Sequence, residues 1–221
     1  MRFLLGFILA VSGLAMAQTD FSADIVNAKA PSPFPTKIFA TKGKLRFQQQ
    51  DRNGNPSSIM LVDLNALTSV VLIPQQHLYV KASKPQIPGQ GVAFFQPADV
   101  ANACPDWQKM AELKGKCRKV GNEAVNGRDT VKYENVATDK TVSYVWIDPK
   151  LHFPIQWEGP VGTRELRNIQ EAPQAAELFE IPAGYQKRNL GEDSGQPQKP
   201  AVTHPYSGLT RRRALAFDAG K

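Results

Sequence analysis

The chain has 221 residues, of which 42% are hydrophobic and 21% charged, with a formal net charge of +7. That is enough chain for one domain with a real core, at a composition ordinary for a globular protein. The positive balance does not read as a nucleic-acid surface, because the basic residues are scattered rather than interleaved with aromatics, and the one dense run, Arg211-Arg212-Arg213, lies near the end of the chain.

Residues 1–17 carry Arg2, an apolar run from Phe3 to Leu14, and Ala15-Met16-Ala17, the small-x-small pattern that signal peptidase cuts. The apolar run is shorter than the ~20 residues a membrane-spanning helix needs. Cleavage after Ala17 and export to the periplasm are therefore expected, leaving 18–190 as the folded domain. From Gly191 the chain is Gly, Pro, Ser, Gln and charge with few large apolar residues, so 191–221 is expected to be a disordered tail.

Between these ends the sequence reads as strand after strand. Phe21–Ala28, Thr36–Gln49, Ser58–Leu64, Thr68–Ile73 and His77–Ala82 are β-rich runs punctuated by turn signals such as Asp51-Arg52-Asn53-Gly54-Asn55-Pro56 and Pro74-Gln75-Gln76. Spacings this short build antiparallel meanders rather than βαβ units. Lys84–Gln96, with Pro85, Pro88, Gly89 and Gly91, reads as a loop, and Pro97–Leu113 has weak helical periodicity around Val100, Cys104, Trp107 and Met110. Strands resume near Cys117. Asn126-Gly127 marks a hairpin between Asn122–Val125 and Arg128–Glu134, since both residues tolerate the positive φ of a type I′ turn. Two aromatic-rich runs follow, Val142–Ile147 and Phe153–Trp157, joined by Asp148-Pro149-Lys150, then a strand over Arg164–Gln170 and a helical turn over Pro173–Phe179 stopped by Pro182 and Gly184.

The chemistry-bearing residues form no constellation. Of the histidines, His77, His152 and His204, none sits in an HExxH or a helical pair, and neither a GxSxG elbow nor a phosphate-cradling glycine loop is present. Asp51, Asn53 and Asn55 begin like a calcium loop, but the glycine comes at the fourth position and Val62 stands where the bidentate glutamate belongs, so a tight hairpin turn explains them better. Carboxylate pairs such as Glu177/Glu180 and Asp24/Asp63 are not brought to a shared cleft by anything in the sequence. The reading is of a non-catalytic protein with no cofactor and no metal. Cys104 and Cys117, an even pair in an exported chain, are expected to form a disulfide.

The stretches "ATKGKLRFQ", "LNALTSVVLIPQQHLYVKAS", "GNEAVNGRDTVKYE", "VSYVWIDPKLHFPIQWEG" and "RNIQEAPQAAELFEIPAGYQK" occur in the order seen in LolA/LolB-like outer-membrane lipoprotein-sorting proteins, which the chain resembles over roughly Phe21 to Lys187. The resemblance implies a mainly β fold, a strongly curved antiparallel half-barrel with a small helical lid formed by Pro97–Leu113 and the turn at Pro173–Phe179. It implies an apolar cavity for lipid or lipoprotein acyl chains, lined by Leu45, Phe47, Leu72, Leu78, Tyr133, Tyr144, Trp146 and Trp157. Arg46 resembles the strand arginine that holds the lid shut. Because Val142–Ile147 is apolar on both faces, one face is expected to pack on lid or core and the other to line that cavity. Two functions follow from the resemblance: a carrier or binder of acyl chains, and an envelope sensor that binds a protein partner.

Protein secreted by its native host should begin at Gln18. Intact-mass measurement checks this, and a mature mass retaining Met1 contradicts export.

Overall fold

The computed structural model describes residues 19–82 and 94–188. The signal segment, most of the Lys84–Gln96 loop, and the 191–221 tail with His204 lie outside the described residues. The first meander is β1 (Phe21–Asn27), β2 (Thr36–Thr41), β3 (Lys44–Gln50), β4 (Pro56–Asp63), β5 (Thr68–Ile73) and β6 (Leu78–Ala82). The second is β7 (Lys116–Val125), β8 (Arg128–Val136), β9 (Val142–Asp148), β10 (Phe153–Gly159) and β11 (Gly162–Glu171). β1 pairs antiparallel with β11, and a two-residue strand, β12 (Gln186–Lys187), pairs parallel with β6. All twelve strands form one unclosed, strongly curved sheet in the order β12-β6-β5-β4-β3-β2-β1-β11-β10-β9-β8-β7.

Strand alternation sorts the first meander into two apolar faces. Ala23, Ile38, Phe47, Met60 and Val71 are register partners in sequence across β1 to β5, and they belong to or pack against the largest core cluster. On the opposite face, Ile59 pairs with Leu72 and Leu61 with Val70; these residues pack against Tyr79, Ile181 and Tyr185. The run read as one strand over Thr36–Gln49 is a hairpin. It breaks at Gly43, whose φ of 76° is the left-handed value and where a Cβ would stand 2.2 Å from Asn65 Nδ2.

The chain leaving β6 must reach β7 at the far edge of the sheet. On that path lie a 3₁₀ turn (Val100–Asn102) and α1 (Cys104–Met110), shorter than the span expected to be helical. Pro105 in the first turn, Asp106 near its N-terminus and Lys109 in its last turn suit a helix, but seven residues are marginal alone. Packing supplies the rest: Trp107, 2% exposed, seats α1 in a cluster with Phe95, Val100, Tyr133, Val145 and Ile147. The disulfide is present, joining Cys104 to Cys117 on β7 with Cα atoms 5.7 Å apart.

Asn126 and Gly127 adopt φ of 50° and 76°, as a type I′ turn requires. Asn126 Nδ2 donates to Glu165 Oε2 and to the Leu166 carbonyl, both at 3.3 Å, so the hairpin tip is tied across to β11. The Asp51 segment is the expected hairpin turn, joining β3 to β4, and it is capped by a side chain: Asp51 Oδ1 accepts from the backbone N–H of Asn53 (2.8 Å) and of Asn55 (2.9 Å).

Reducing the Cys104–Cys117 bond should lower the denaturant midpoint, by up to roughly 3 kcal/mol of stability in the chain-entropy account. Equilibrium unfolding with and without reductant checks it. An unchanged midpoint means that Trp107 packing alone fixes α1.

Candidate functional site

Residues 94–97 have no regular secondary structure, yet Phe94 and Phe95 are 2% and 1% exposed. The two rings point into different clusters. Phe94 lies 4.8 Å from Phe47, 5.0 Å edge-on from Trp157 and 5.8 Å stacked on Phe153, while Phe95 joins Trp107 and Tyr133 under α1. Aromatic pairs at these separations add to the area they bury. The backbone of this strap is clasped on both sides. Gly43 N–H donates to Gln96 Oε1 at 2.8 Å, Gln96 Nε2 donates to the Thr41 carbonyl at 2.9 Å, and His152 Nδ1 donates to the Pro97 carbonyl at 3.2 Å.

The eight residues expected to line one cavity are distributed over several places. Leu45, Phe47, Trp146 and Trp157 lie in the core cluster that receives Phe94, and Tyr144 packs against it. Leu72 is on the opposite sheet face, and Leu78 is half-buried at the register position of Ile73 and Gln186. Tyr133 lies under α1, where its hydroxyl donates to the Val100 carbonyl (2.6 Å) and accepts from Ala103 N–H (3.3 Å); burial pushes its pKa up. Lys132 Nζ sits 4.5 Å from the Trp146 ring centroid and 5.0 Å from that of Tyr144, the geometry of a cation–π contact, and 3.0 Å from Glu123 Oε2. That hydrogen bond from Lys132 is the main reason Glu123 titrates below the usual carboxylate range.

The apolar β9 strand is therefore covered by protein on both faces, which corrects the expectation that one face is open to a cavity. Val145 and Ile147, both fully buried, meet α1, whereas Trp146, 3% exposed, belongs to the cluster containing Val125 and Phe153.

Arg46 alternates with Leu45 and Phe47 and so faces away from Phe94. Its Nη1 donates to the Leu178 carbonyl (3.0 Å) and its Nη2 to Gln48 Oε1 (2.9 Å), while Nε has no partner among the described residues. The side chain is 9% exposed, and desolvation draws its pKa down. Leu178 sits in the 3₁₀ turn Ala176–Phe179. The two segments expected to act together as a lid thus lie on opposite faces of the sheet: α1 over β8 and β9, and the 3₁₀ turn against β3. Sequence reading did not single out Phe94 or Gln96, and it took Phe153 only as the start of a strand and His152 only as a histidine without a metal or catalytic arrangement. The signal available was a pair of adjacent phenylalanines in a Pro/Gly-rich loop.

This unclosed, curved and mainly antiparallel sheet with a small helical lid is the architecture that the resemblance to LolA/LolB-like proteins implies. No family model matches the chain, and no curated protein does. Among solved structures, an uncharacterised conserved protein from Thermus thermophilus is similar at 9% identity and a TM-score of 0.48, covering 78% of this chain and 91% of that one. A putative outer-membrane lipoprotein-sorting protein domain from Vibrio parahaemolyticus is similar at 12% identity and a TM-score of 0.33, covering 75% and 90%. The Pseudomonas aeruginosa MucA/MucB complex is similar at 14% identity and a TM-score of 0.34, covering 75% of this chain but 56% of that one. Superpositions this loose carry no inference about what the chain binds.

Phe94→Ala should destabilise the protein by about 3–5 kcal/mol, the cost of emptying a well-packed aromatic site. Denaturant unfolding measures it. A loss below about 1 kcal/mol means the ring is not an integral part of the core.

Proposed function

We propose that the protein is a periplasmic, non-catalytic binder of lipid or lipoprotein acyl chains, with the ligand entering where Phe94 is seated. The observation that carries this reading is the origin of the Phe94 ring. It comes from a strap outside the sheet, so it can leave without breaking a strand pair. The slot it would vacate is walled by Phe47, Phe153 and Trp157 and backed by Leu45, Ile38 and Met60. Apolar concavities of this kind suit hydrophobic ligands. The holding bonds, two at Gln96 and one at His152, are few and can be replaced by water when the strap lifts.

Burying a methylene gains about 0.8 kcal/mol, so a half-buried 16-carbon chain gains roughly 6 kcal/mol before association costs. Micromolar affinity corresponds to about 8 kcal/mol. Diacyl and triacyl ligands should accordingly bind more tightly than single fatty acids. Removing Phe94 should raise affinity, because the chain no longer has to displace the ring.

A second reading, an envelope sensor with a protein partner, is favoured by β7. It stands at the edge of the sheet over ten residues, where an extended segment can add as a further strand.

Titration of wild-type protein and Phe94→Ala with oleate and with a diacyl phospholipid, followed by tryptophan emission, tests the first reading. Expected are tighter binding of the diacyl ligand and a further gain in the variant. The reading fails if both folded proteins neither copurify with lipid nor change emission with either ligand. A stable protein complex in place of lipid release supports the second.

A further inference from the structure

The pairing of β1 with β11 slips once. Ser22 faces Gln170 and Asp24 faces Arg167, so Ala23 alone stands opposite the two residues Asn168 and Ile169. Asn168 takes a φ of 52°, a left-handed conformation that asparagine tolerates better than most residues. Bulges of this kind re-aim side chains. Here the result is a cavity of about 270 Å³ walled by Ser22, Asp24, Lys37, Phe39, Asn168 and Gln170.

Ser22, Asp24 and Phe39 alternate with the buried Phe21, Ala23, Ile38 and Ala40, so the cavity opens on the face opposite the Phe94 slot. Asn168 Nδ2 donates to Asp24 Oδ2 at 2.8 Å, and Lys37 Nζ lies 3.2 Å from Asp24 Oδ1. Asp24 is thus fixed from both sides, with its side chain 13% exposed. The neighbouring Arg167 is paired with Glu165 and leaves the balance in the cavity unchanged.

We propose that this cavity binds a neutral sugar ring. The one carboxylate and the one ammonium in its wall cancel, so neither an anion nor a cation gains net attraction. An apolar ligand would bury the carboxylate and the amides without partners, which is unfavourable. A polyhydroxylated ring suits the wall: its hydroxyls both donate and accept, matching the Asp24 carboxylate, the Asn168 and Gln170 amides and the Ser22 hydroxyl. Phe39 supplies the flat apolar surface that the C–H face of a pyranose covers, with its own ring steadied by the Arg46 guanidinium 6.0 Å from its centroid.

Saturation-transfer NMR on the full chain tests the assignment, with glucose, galactose and N-acetylglucosamine as neutral probes and glucuronate as the charged control. At least one neutral sugar should show transfer, with affinity falling roughly tenfold in Asp24→Asn, which turns one acceptor oxygen into a donor, and in Gln170→Ala, which removes one hydrogen-bonding group. Gln170 is exposed, so its variant reports even where Asp24→Asn fails to fold. Transfer to no neutral sugar overturns the proposal, as does transfer unchanged in the Gln170 variant or tighter binding of glucuronate than of glucose. Because the cavity and the Phe94 slot lie on opposite faces, lipid titration is unaffected by either outcome.

Discussion

The connection from β6 to β7 is the constraint on which the rest depends. The two strands belong to opposite ends of the sheet, so the linking chain has to cross its apolar face, and it does so with Phe94 and Phe95 inserted into two separate clusters. One crossing segment therefore closes the core over β3 and β10 and also delivers α1 to β8 and β9. The disulfide to β7 makes the far end of the crossing covalent. The near end is held by the Gln96 side chain on the β2–β3 turn, which is where Gly43 is required. Its backbone N–H meets Gln96, and its left-handed φ and the closeness of Asn65 exclude a side chain.

The other face has its own cover, built differently. Residues 176–188 lie against β3 to β6 through Ile181 and Tyr185, end as β12, and are joined to β3 by Arg46. A guanidinium this buried, bonded among the described residues to a carbonyl and an amide, is stabilised less than one paired with a carboxylate. Its position two strands from the cavity at Asp24, with Phe39 between them, links the polar part of this face to the apolar part.

Much of this was legible in the sequence, and the part that was not has a physical cause. Asn126-Gly127 specified its turn, and Cys104 and Cys117 specified their bridge, because each is a local or pairwise signal. The Gly43 turn was missed because Thr36–Gln49 is β-rich on both sides of it, and β12 because two residues carry no periodicity. Placement of the candidate ligand residues failed for a deeper reason. Which face a strand residue occupies depends on parity carried through every turn and bulge, and the slips at Gly121, at Gln156 and at Asn168 each reset it without a sequence mark. Leu72 and Tyr133 were thus grouped with Phe47 although they lie in other clusters. Phe94 was hidden because Pro and Gly around it read as a solvated loop, whereas tertiary packing buries the ring.

The central claim is that the Phe94 ring occupies the place of an acyl chain. Fluorine NMR of protein carrying 4-fluorophenylalanine at position 94 tests it most directly. Titration with a diacyl phospholipid should replace the resonance of the buried ring with that of a ring released to solvent, in proportion to bound lipid. Lipid binding that leaves the buried resonance unchanged would contradict the account.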